Sequence, residues 1–488
     1  MKKFYFIFIL YFFSASISAQ ESVFTSAIYD SYDVFKESAL SKRRIKHAQL
    51  QPLLEELKNN PLFTIRTVGT SIEGRSLQLV SLGKGNIDVF LWSQMHGDEP
   101  TATQAIFDLI NFFKGDDFKK EKRLLLKKLR IHFLPMLNPD GAEVYTRRNA
   151  LGIDMNRDAL RLQSPEAQTL KRVRDSLEAD FGFNLHDQST YYNAEKTSKP
   201  ATISYLAPAY NYEKEVNNVR ANAMKVIGYM NRILQQYAPG QVGKYNDDFE
   251  PRAFGDNIQK WGTSAILIES GGYQNDAEKQ EIRKLNYVSI LSALYAIATD
   301  DFKKVPLSEY EAIPENDRKL FDVKIAEIKY VLNGKTYVLD LGITHNEYDN
   351  EAHTDFNYKS RVADQGDLST FYGYTTIDAK NSRAEKGIVY SEVLDNIDSL
   401  KYLKYKELHK KGVLYVRVKN LPENLYFTNY PVQIISESYV VPDLELKPGV
   451  TPTFLITKQG EITHVVVNGF VQSLSANSNT IKNGLLLK

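Results

Sequence analysis

The chain has 488 residues, of which 43% are hydrophobic and 25% charged, a globular balance that excludes a disordered chain. Its formal net charge of +1 gives no argument for nucleic acid or an anionic membrane surface as a partner. Because it has no cysteine, disulfides, a cysteine nucleophile and thiolate metal ligands are excluded. The length exceeds one ordinary hydrophobic core and predicts at least two domains.

Residues 1–19 have the pattern of a secretory signal peptide. Lys2 and Lys3 precede the apolar run 4–13, and mostly small residues follow as far as Ala19. The run is too short to span a bilayer, so the pattern predicts a removable signal. We therefore expect an exported protein, periplasmic or secreted, without stable membrane insertion after signal removal; an uncleaved anchor is the alternative. Loss of both lysines leaves 59 basic against 60 acidic residues.

Residues 20–305 alternate between strand and helix patterns. Apolar runs predict strands at 63–68, 77–82, 89–92, 131–136, 181–185 and 264–268. Helical spacing of apolar residues predicts helices at 48–57, 101–113, 164–177, 212–237 and 277–299. Such alternation indicates an α/β domain whose mostly parallel or mixed sheet is covered on both faces. Ligand sites in these folds lie beyond the carboxyl ends of the strands.

The pattern changes after residue 305. A polar stretch bracketed by Pro306 and Pro314 predicts a linker over 306–322. Strand patterns dominate from Val323 onward, and Asn333-Gly334 between two of them is a strong hairpin signal. The sequence thus predicts a smaller, β-rich accessory domain over 323–488.

Residues that can bind zinc follow two of the predicted strands. His96 and Glu99 come after strand 89–92, and His186 follows strand 181–185. Zinc accepts imidazole and carboxylate ligands, and a catalytic zinc has three protein ligands and a water. Glu269 follows strand 264–268 directly as a single carboxylate. It is placed to take a proton from that water. His and Glu at this spacing are also common on helix surfaces. The prediction of one zinc ion therefore depends on His96 and Glu99 together with His186 and Glu269.

A second group of segments supplies polar and basic residues. Asn138-Pro139-Asp140-Gly141 is followed by Arg147-Arg148-Asn149 and by Gly152-Ile153-Asp154-Met155-Asn156-Arg157. A guanidinium is a planar fork that suits bidentate recognition of a carboxylate. The alternative is a solvated surface charge cluster.

Taken together, these segments resemble the zinc carboxypeptidase family, the M14 metallopeptidases. The resemblance covers about residues 45–300, and its most specific parts are the HGDEP segment and the NPDG…RRN…GIDMNR series; the SIEGR segment at 71–75 is also similar. It implies a mixed eight-stranded sheet sandwiched by helices. It also implies His96, Glu99 and His186 as zinc ligands and Asp154 as the carboxylate that orients the first zinc histidine. Asp187 departs from the family, where a serine is frequent.

The resemblance also implies roles around the substrate. Arg147 matches the arginine that polarises the scissile carbonyl, and Glu269 matches the general base. Asn156 and Arg157 match the pair that binds the C-terminal carboxylate of the substrate. The family's mobile tyrosine has no clear match, since Tyr245 is the nearest candidate but its spacing differs.

The sequence therefore predicts zinc-dependent hydrolysis of peptide bonds by a metallocarboxypeptidase that releases C-terminal residues. One alternative is an amidase or endopeptidase of the same family that acts on cell-wall stem peptides. The other is an inactive, peptide-binding homologue. The predicted carboxylate-binding pair Asn156 and Arg157 favours the carboxypeptidase. The intact set of zinc ligands with Glu269 argues against the inactive homologue.

Overall fold

The computed structural model describes residues 23–475 and 482–488, so the predicted signal peptide lies outside the described residues. The chain divides into two compact units between Arg318 and Lys319. The segment for which the sequence predicts a linker, 306–322, contains a short helix and the beginning of a long strand.

The N-terminal unit alternates strands and helices. Its strands are β1 (Phe63–Thr70), β2 (Ser76–Gly83), β3 (Ile87–Ser93), β4 (Leu129–Leu134), β5 (Phe181–Asp187), β6 (Asn193–Ala194), β7 (Ile203–Leu206), β8 (Val242–Lys244), β9 (Ser264–Ser270) and β10 (Asn316–Asp317). Its helices are α1 (Tyr32–Phe35), α2 (His47–Lys58), α3 (Thr101–Lys114), α4 (Lys119–Lys128), α5 (Pro139–Glu143), α6 (Pro165–Leu177), α7 (Asn218–Tyr237), α8 (Phe254–Lys260), α9 (Gln280–Thr299) and α10 (Leu307–Glu311).

Eight of these strands form one mixed sheet in the order β1-β2-β4-β3-β5-β9-β7-β8. The central strands β4, β3, β5 and β9 run parallel, whereas β1, β2 and β7 introduce antiparallel pairs. The chain passes from β3 to β4 on one side and returns to β5 on the other. The carboxyl ends of β3 and β5 therefore lie at a point where the strand order reverses, which is where α/β sheets form crevices.

Alternate side chains of β3 enter two different cores. Val89 and Leu91 pack in a cluster with residues of α3, α7 and α9. Phe90 and Trp92 pack in a second cluster with residues of α6 and α8. Because side chains alternate across a strand, the two clusters lie on opposite faces of the sheet. The prediction of a mixed eight-stranded sheet sandwiched by helices is confirmed.

Several element ends differ from the sequence prediction. The helix predicted from 212 begins at Asn218, because the side chain of Asn217 accepts a hydrogen bond from a backbone N–H of the first turn and caps it. The strand predicted over 131–136 ends at Leu134. Strands β5 and β9 run two residues further than predicted, so His186 and Glu269 lie within their strands rather than after them.

The C-terminal unit is β-rich, as predicted. Its described elements are β11 (Leu320–Leu332), β12 (Lys335–Asp349), β13 (Phe356–Gly366), β14 (Tyr372–Asp378), β15 (Ser382–Glu385), β16 (Ile388–Asn396), α11 (Tyr405–Lys410), β17 (Val413–Asn420), β18 (Phe427–Thr428), β19 (Gln433–Ile435), β20 (Phe454–Lys458), β21 (Glu461–Val467), β22 (Phe470–Ser473) and β23 (Gly484–Leu487). They form one eight-stranded and one five-stranded sheet. The predicted hairpin is present, with Asn333 and Gly334 both at positive φ between β11 and β12.

Across residues 23–475 and 482–488, no helix has both the length and the apolar character needed to cross a membrane.

A buried ion pair joins α3 to α9 in the core of the N-terminal unit. The Arg283 guanidinium donates to Asp108 at 2.7 Å, and both side chains are fully buried. Tyr32 and the backbone N–H of Glu37 also donate to this carboxylate. The pair is thus held in a complete set of hydrogen bonds, the condition under which a buried charge is tolerated.

Replacing Arg283 by Met should destabilise the protein by about 3–5 kcal/mol, because Asp108 is left as an uncompensated buried charge. Urea unfolding followed by circular dichroism measures this. The control is Lys303→Met, which removes a cation from an exposed pair with Asp300 and should cost less than about 1 kcal/mol. Equal losses in the two variants would contradict the prediction.

Candidate metal centre

The three predicted zinc ligands converge at the carboxyl ends of β3 and β5. His96 Nδ1 lies 2.7 Å from Glu99 Oε1, and His186 Nδ1 lies 2.7 Å from Glu99 Oε2. The two imidazole Nδ1 atoms are 3.2 Å apart although the residues are 90 positions apart in the chain. All three side chains are buried. Within the described residues this is the group of His, Asp and Glu side chains that can hold a metal ion.

The donor set fits zinc. Two ligands of a tetrahedral zinc ion stand about 3.3 Å apart, close to the observed nitrogen–nitrogen separation. His96 turns its other nitrogen, Nε2, toward Asp154 Oδ1 at 3.3 Å. A proton held there by Asp154 leaves the lone pair of Nδ1 available to a metal, as is usual for histidine ligands.

The charges of the three side chains depend on one another. Burial raises the pKa of Glu99, but the imidazoles on either side outweigh burial and hold this pKa well below its ordinary value. Burial lowers the pKa of His96, but the carboxylates of Glu99 and Asp154 outweigh it and raise that pKa to about 9. Burial lowers the pKa of His186. Metal binding must therefore displace a proton from His96, which makes metal affinity fall at low pH.

Glu269 lies beside the three ligands on the next strand. It pairs in register with His186 across β5 and β9, and both line one cleft of about 440 Å³. Burial raises the pKa of the Glu269 carboxyl, and the Glu99 carboxylate raises it further. A carboxylate that binds protons more readily than usual is suited to general-base work.

Arg147 lies at the rim of the ligand group. Its Nε donates to Asp154 at 3.0 Å, and a terminal nitrogen reaches His96 Nδ1 at 3.0 Å and Glu99 at 3.3 Å. The side chain is 41% exposed toward the cleft. A positive charge is thus placed where negative charge on a reacting carbonyl oxygen would develop.

Asn156 and Arg157 line the same cleft. Asn156 Oδ1 accepts from the backbone N–H of Phe254 at 2.9 Å. Arg157 lies 3.4 Å from Glu250, which also accepts two bonds from the guanidinium of Arg252 and one from its backbone N–H. Glu250 has no distinguishing signal in the sequence, because its loop carries several charges and only the fold brings one of them to Arg157.

Other motif residues hold the site without lining it. A Cβ on Gly97 would lie 2.1 Å from the backbone of Gly141, so the HGDEP and NPDG turns pack directly on each other. Asp140 accepts from the hydroxyl of Ser71 at 2.6 Å and from Arg75 at 2.7 Å. The SIEGR and NPDG segments therefore brace the loop that carries the ligand pair.

The structure also brings Tyr245 to the cleft, 24 positions before Glu269 in the chain. Its ring packs edge-on against Tyr192, with centroids 6.2 Å apart. Burial raises the pKa of Tyr245, and the charge of Glu269 raises it further. Its phenol therefore stays protonated and able to donate; the sequence spacing alone had left this residue unassigned.

Comparison with known proteins agrees with the site. Residues 51–264 match the family model described as zinc carboxypeptidase. This segment therefore resembles the zinc carboxypeptidase family. The chain is 29% identical over 177 residues to carboxypeptidase SOL1 of Arabidopsis thaliana, which is 30% of this chain and 35% of that protein. It is 29% identical over 115 residues to the human carboxypeptidase N catalytic chain, which is 19% of this chain and 25% of that protein.

The chain thus spans about a third or less of these curated carboxypeptidases. Among solved structures, a metallo-carboxypeptidase from Burkholderia cenocepacia is 17% identical, with a TM-score of 0.43. That alignment covers 52% of this chain and 69% of the other. Members of the family use zinc, and the group of His96, Glu99 and His186 can hold it.

Replacing Asp154 by Asn should weaken zinc binding about 10–100-fold, because the amide holds the proton of His96 Nε2 less strongly. Competition with a chromogenic chelator measures the affinity. The control is Asp175→Asn on the exposed side of α6, which should leave the affinity unchanged. An unaltered affinity in the Asp154 variant would show that this carboxylate does not support the ligand.

Proposed function

We propose that the N-terminal unit is an exported zinc metallocarboxypeptidase that releases C-terminal residues from peptides. The observation that supports this is the convergence of His96, Glu99 and His186 beside Glu269 in one cleft. Zinc, when bound by these three residues, supplies a Lewis acid that activates water and polarises a carbonyl. The remaining steps belong to side chains of the chain itself.

Glu269 acts as the general base and then as the acid. It takes a proton from the attacking water and passes it to the leaving amine. Its position supports both transfers, since it pairs with His186 and faces the cleft. Arg147 donates to the scissile carbonyl oxygen as negative charge develops there. Tyr245, kept protonated by burial, is a further donor that lines the cleft.

Asn156 and Arg157 bind the terminal carboxylate of the substrate. Both line the cleft that contains Glu269, and a guanidinium with an amide matches the geometry of a carboxylate. The end of a peptide held here places its last amide bond toward the ligand group.

One observation favours the alternative of a cell-wall stem-peptide amidase or endopeptidase. Arg157 already has a carboxylate partner in Glu250, and a substrate without a free C-terminus would leave that pair intact. The choice between the two activities therefore depends on whether Arg157 contacts the substrate.

Replacing Glu269 by Gln should lower kcat about 100–10,000-fold, because the amide cannot accept the proton of the attacking water. Hydrolysis of an acylated dipeptide, with bound zinc measured in the same sample, checks this. Removal of zinc from the wild type with a chelator should also abolish turnover, and added zinc should restore it. Near-normal turnover of the zinc-loaded variant would refute the mechanism.

Peptides with an amidated C-terminus should be cleaved far more slowly than the free acids. Replacing Arg157 by Met should raise KM for the free acids about 10–100-fold, because a charge-assisted hydrogen bond is lost. The amidated peptides serve as the control, since the variant should not change their residual rate. Equal cleavage of acid and amide would favour the amidase or endopeptidase.

A further inference from the structure

A buried acidic residue adjoins His186, at a position where the zinc carboxypeptidase family frequently has a serine. Asp187 follows His186 at the end of β5, and its side chain is only 6% exposed. Asp187 Oδ2 accepts from the hydroxyl of Thr101 at 2.6 Å and from Lys279 Nζ at 3.0 Å. The other oxygen, Oδ1, is buried without a hydrogen-bond partner among the described residues. The hydrogen bonds that stabilise the Asp187 carboxylate therefore all reach one oxygen, Oδ2.

Lys279 connects the two strands that carry His186 and Glu269. Its ammonium group is 7% exposed and, besides Asp187, donates to the backbone carbonyl of Ser270 at 2.9 Å. Ser270 is the neighbour of Glu269, and it pairs in register with Asp187. Lys279 thus fastens the ends of β5 and β9 to each other.

The same network reaches the third segment of the site. Thr101 is the first residue of α3 and stands two positions after Glu99. The backbone N–H of Asp187 donates to Glu99 Oε2 at 3.2 Å. Each of the three segments that carry His186, Glu99 and Glu269 is therefore tied to Asp187 or Lys279.

The backbone of Lys279 is held in a constrained conformation at the start of a helix. Its φ of 51° is in the left-handed region, which residues with a Cβ seldom occupy. Helix α9 starts at the next residue. Such conformations persist where surrounding contacts hold them, and they are concentrated at functional sites.

Charge balance explains why the lysine is needed. Glu99, Asp187 and Glu269 are three carboxyl groups within one buried region, and like charges repel strongly at low dielectric constant. Lys279 places one positive charge against Asp187, with Nζ 3.0 Å from Oδ2.

We infer that Lys279, Asp187 and Thr101 form a positioning network for the site, in which Lys279 and Asp187 act as a charge-balanced pair that holds Glu99 and Glu269 against His186. This inference rests on the proposed zinc function. It assigns no contact with substrate to these residues, which act through the ligand and the base.

A double-mutant cycle tests the inference. The variants are Lys279→Met, Asp187→Ser and the double variant, and Lys304→Met, which breaks a pair with Asp301, is the control. Zinc affinity by chelator competition, the melting temperature, kcat and KM are measured for each. Lys279→Met should weaken zinc binding and lower kcat, each about 10–100-fold, with KM little changed. The double variant should be less impaired than Lys279→Met, because no unpaired charge is left, but should stay below the wild type, because the ties to Thr101 and Ser270 are lost.

The possible results separate the hypotheses. A lower melting temperature with unchanged zinc affinity and kcat would show a purely structural pair and overturn the inference. A double variant as impaired as Lys279→Met would contradict the inference that Lys279 and Asp187 act as a charge-balanced pair. If the wild type hydrolyses no peptide, the proposed function fails, but zinc affinity across the cycle still tests the network. Loss of affinity in Lys279→Met with recovery in the double variant supports it.

Discussion

Parallel pairing of β3, β5 and β9 is the constraint on which the site depends. Parallel strands end at the same edge of a sheet, so the residues near their carboxyl ends become neighbours whatever their distance along the chain. The register then aligns His186 with Glu269. A shift of two residues in this register would move one side chain about 6.6 Å along the strand and separate Glu269 from His186.

Burial gives the carboxylates of the site different properties. Glu99 lies between two imidazoles, which keep it ionised and suited to a metal. Glu269 is buried close to the charge of Glu99, so it binds a proton more readily. Two residues of the same type thus differ in affinity for protons because of their neighbours alone, a separation that acid–base chemistry requires.

The sequence predicted the elements of the N-terminal unit well, for a local reason. Apolar runs of four to eight residues and amphipathic helical repeats are visible in a short window of sequence, and they gave the central strands and α3, α6 and α9. The ends of helices and strands were predicted less accurately. The start of α7 depends on the cap at Asn217, and the ends of β5 and β9 depend on pairing with neighbouring strands. The short strands β7 and β8 were missed because pairing at the sheet edge, more than local pattern, makes them strands.

By itself, the amino-acid sequence determined which residue types can perform the chemistry and the order in which they follow strands. It placed His96, Glu99, His186 and Glu269 at strand ends, because those motifs are contiguous. Only the tertiary structure decided their partners: Glu250 against Arg157, Tyr245 in the cleft, and Lys279 against Asp187. These contacts join side chains from distant segments, and a charged residue in a loop carries no local signal of the charge it will meet after folding.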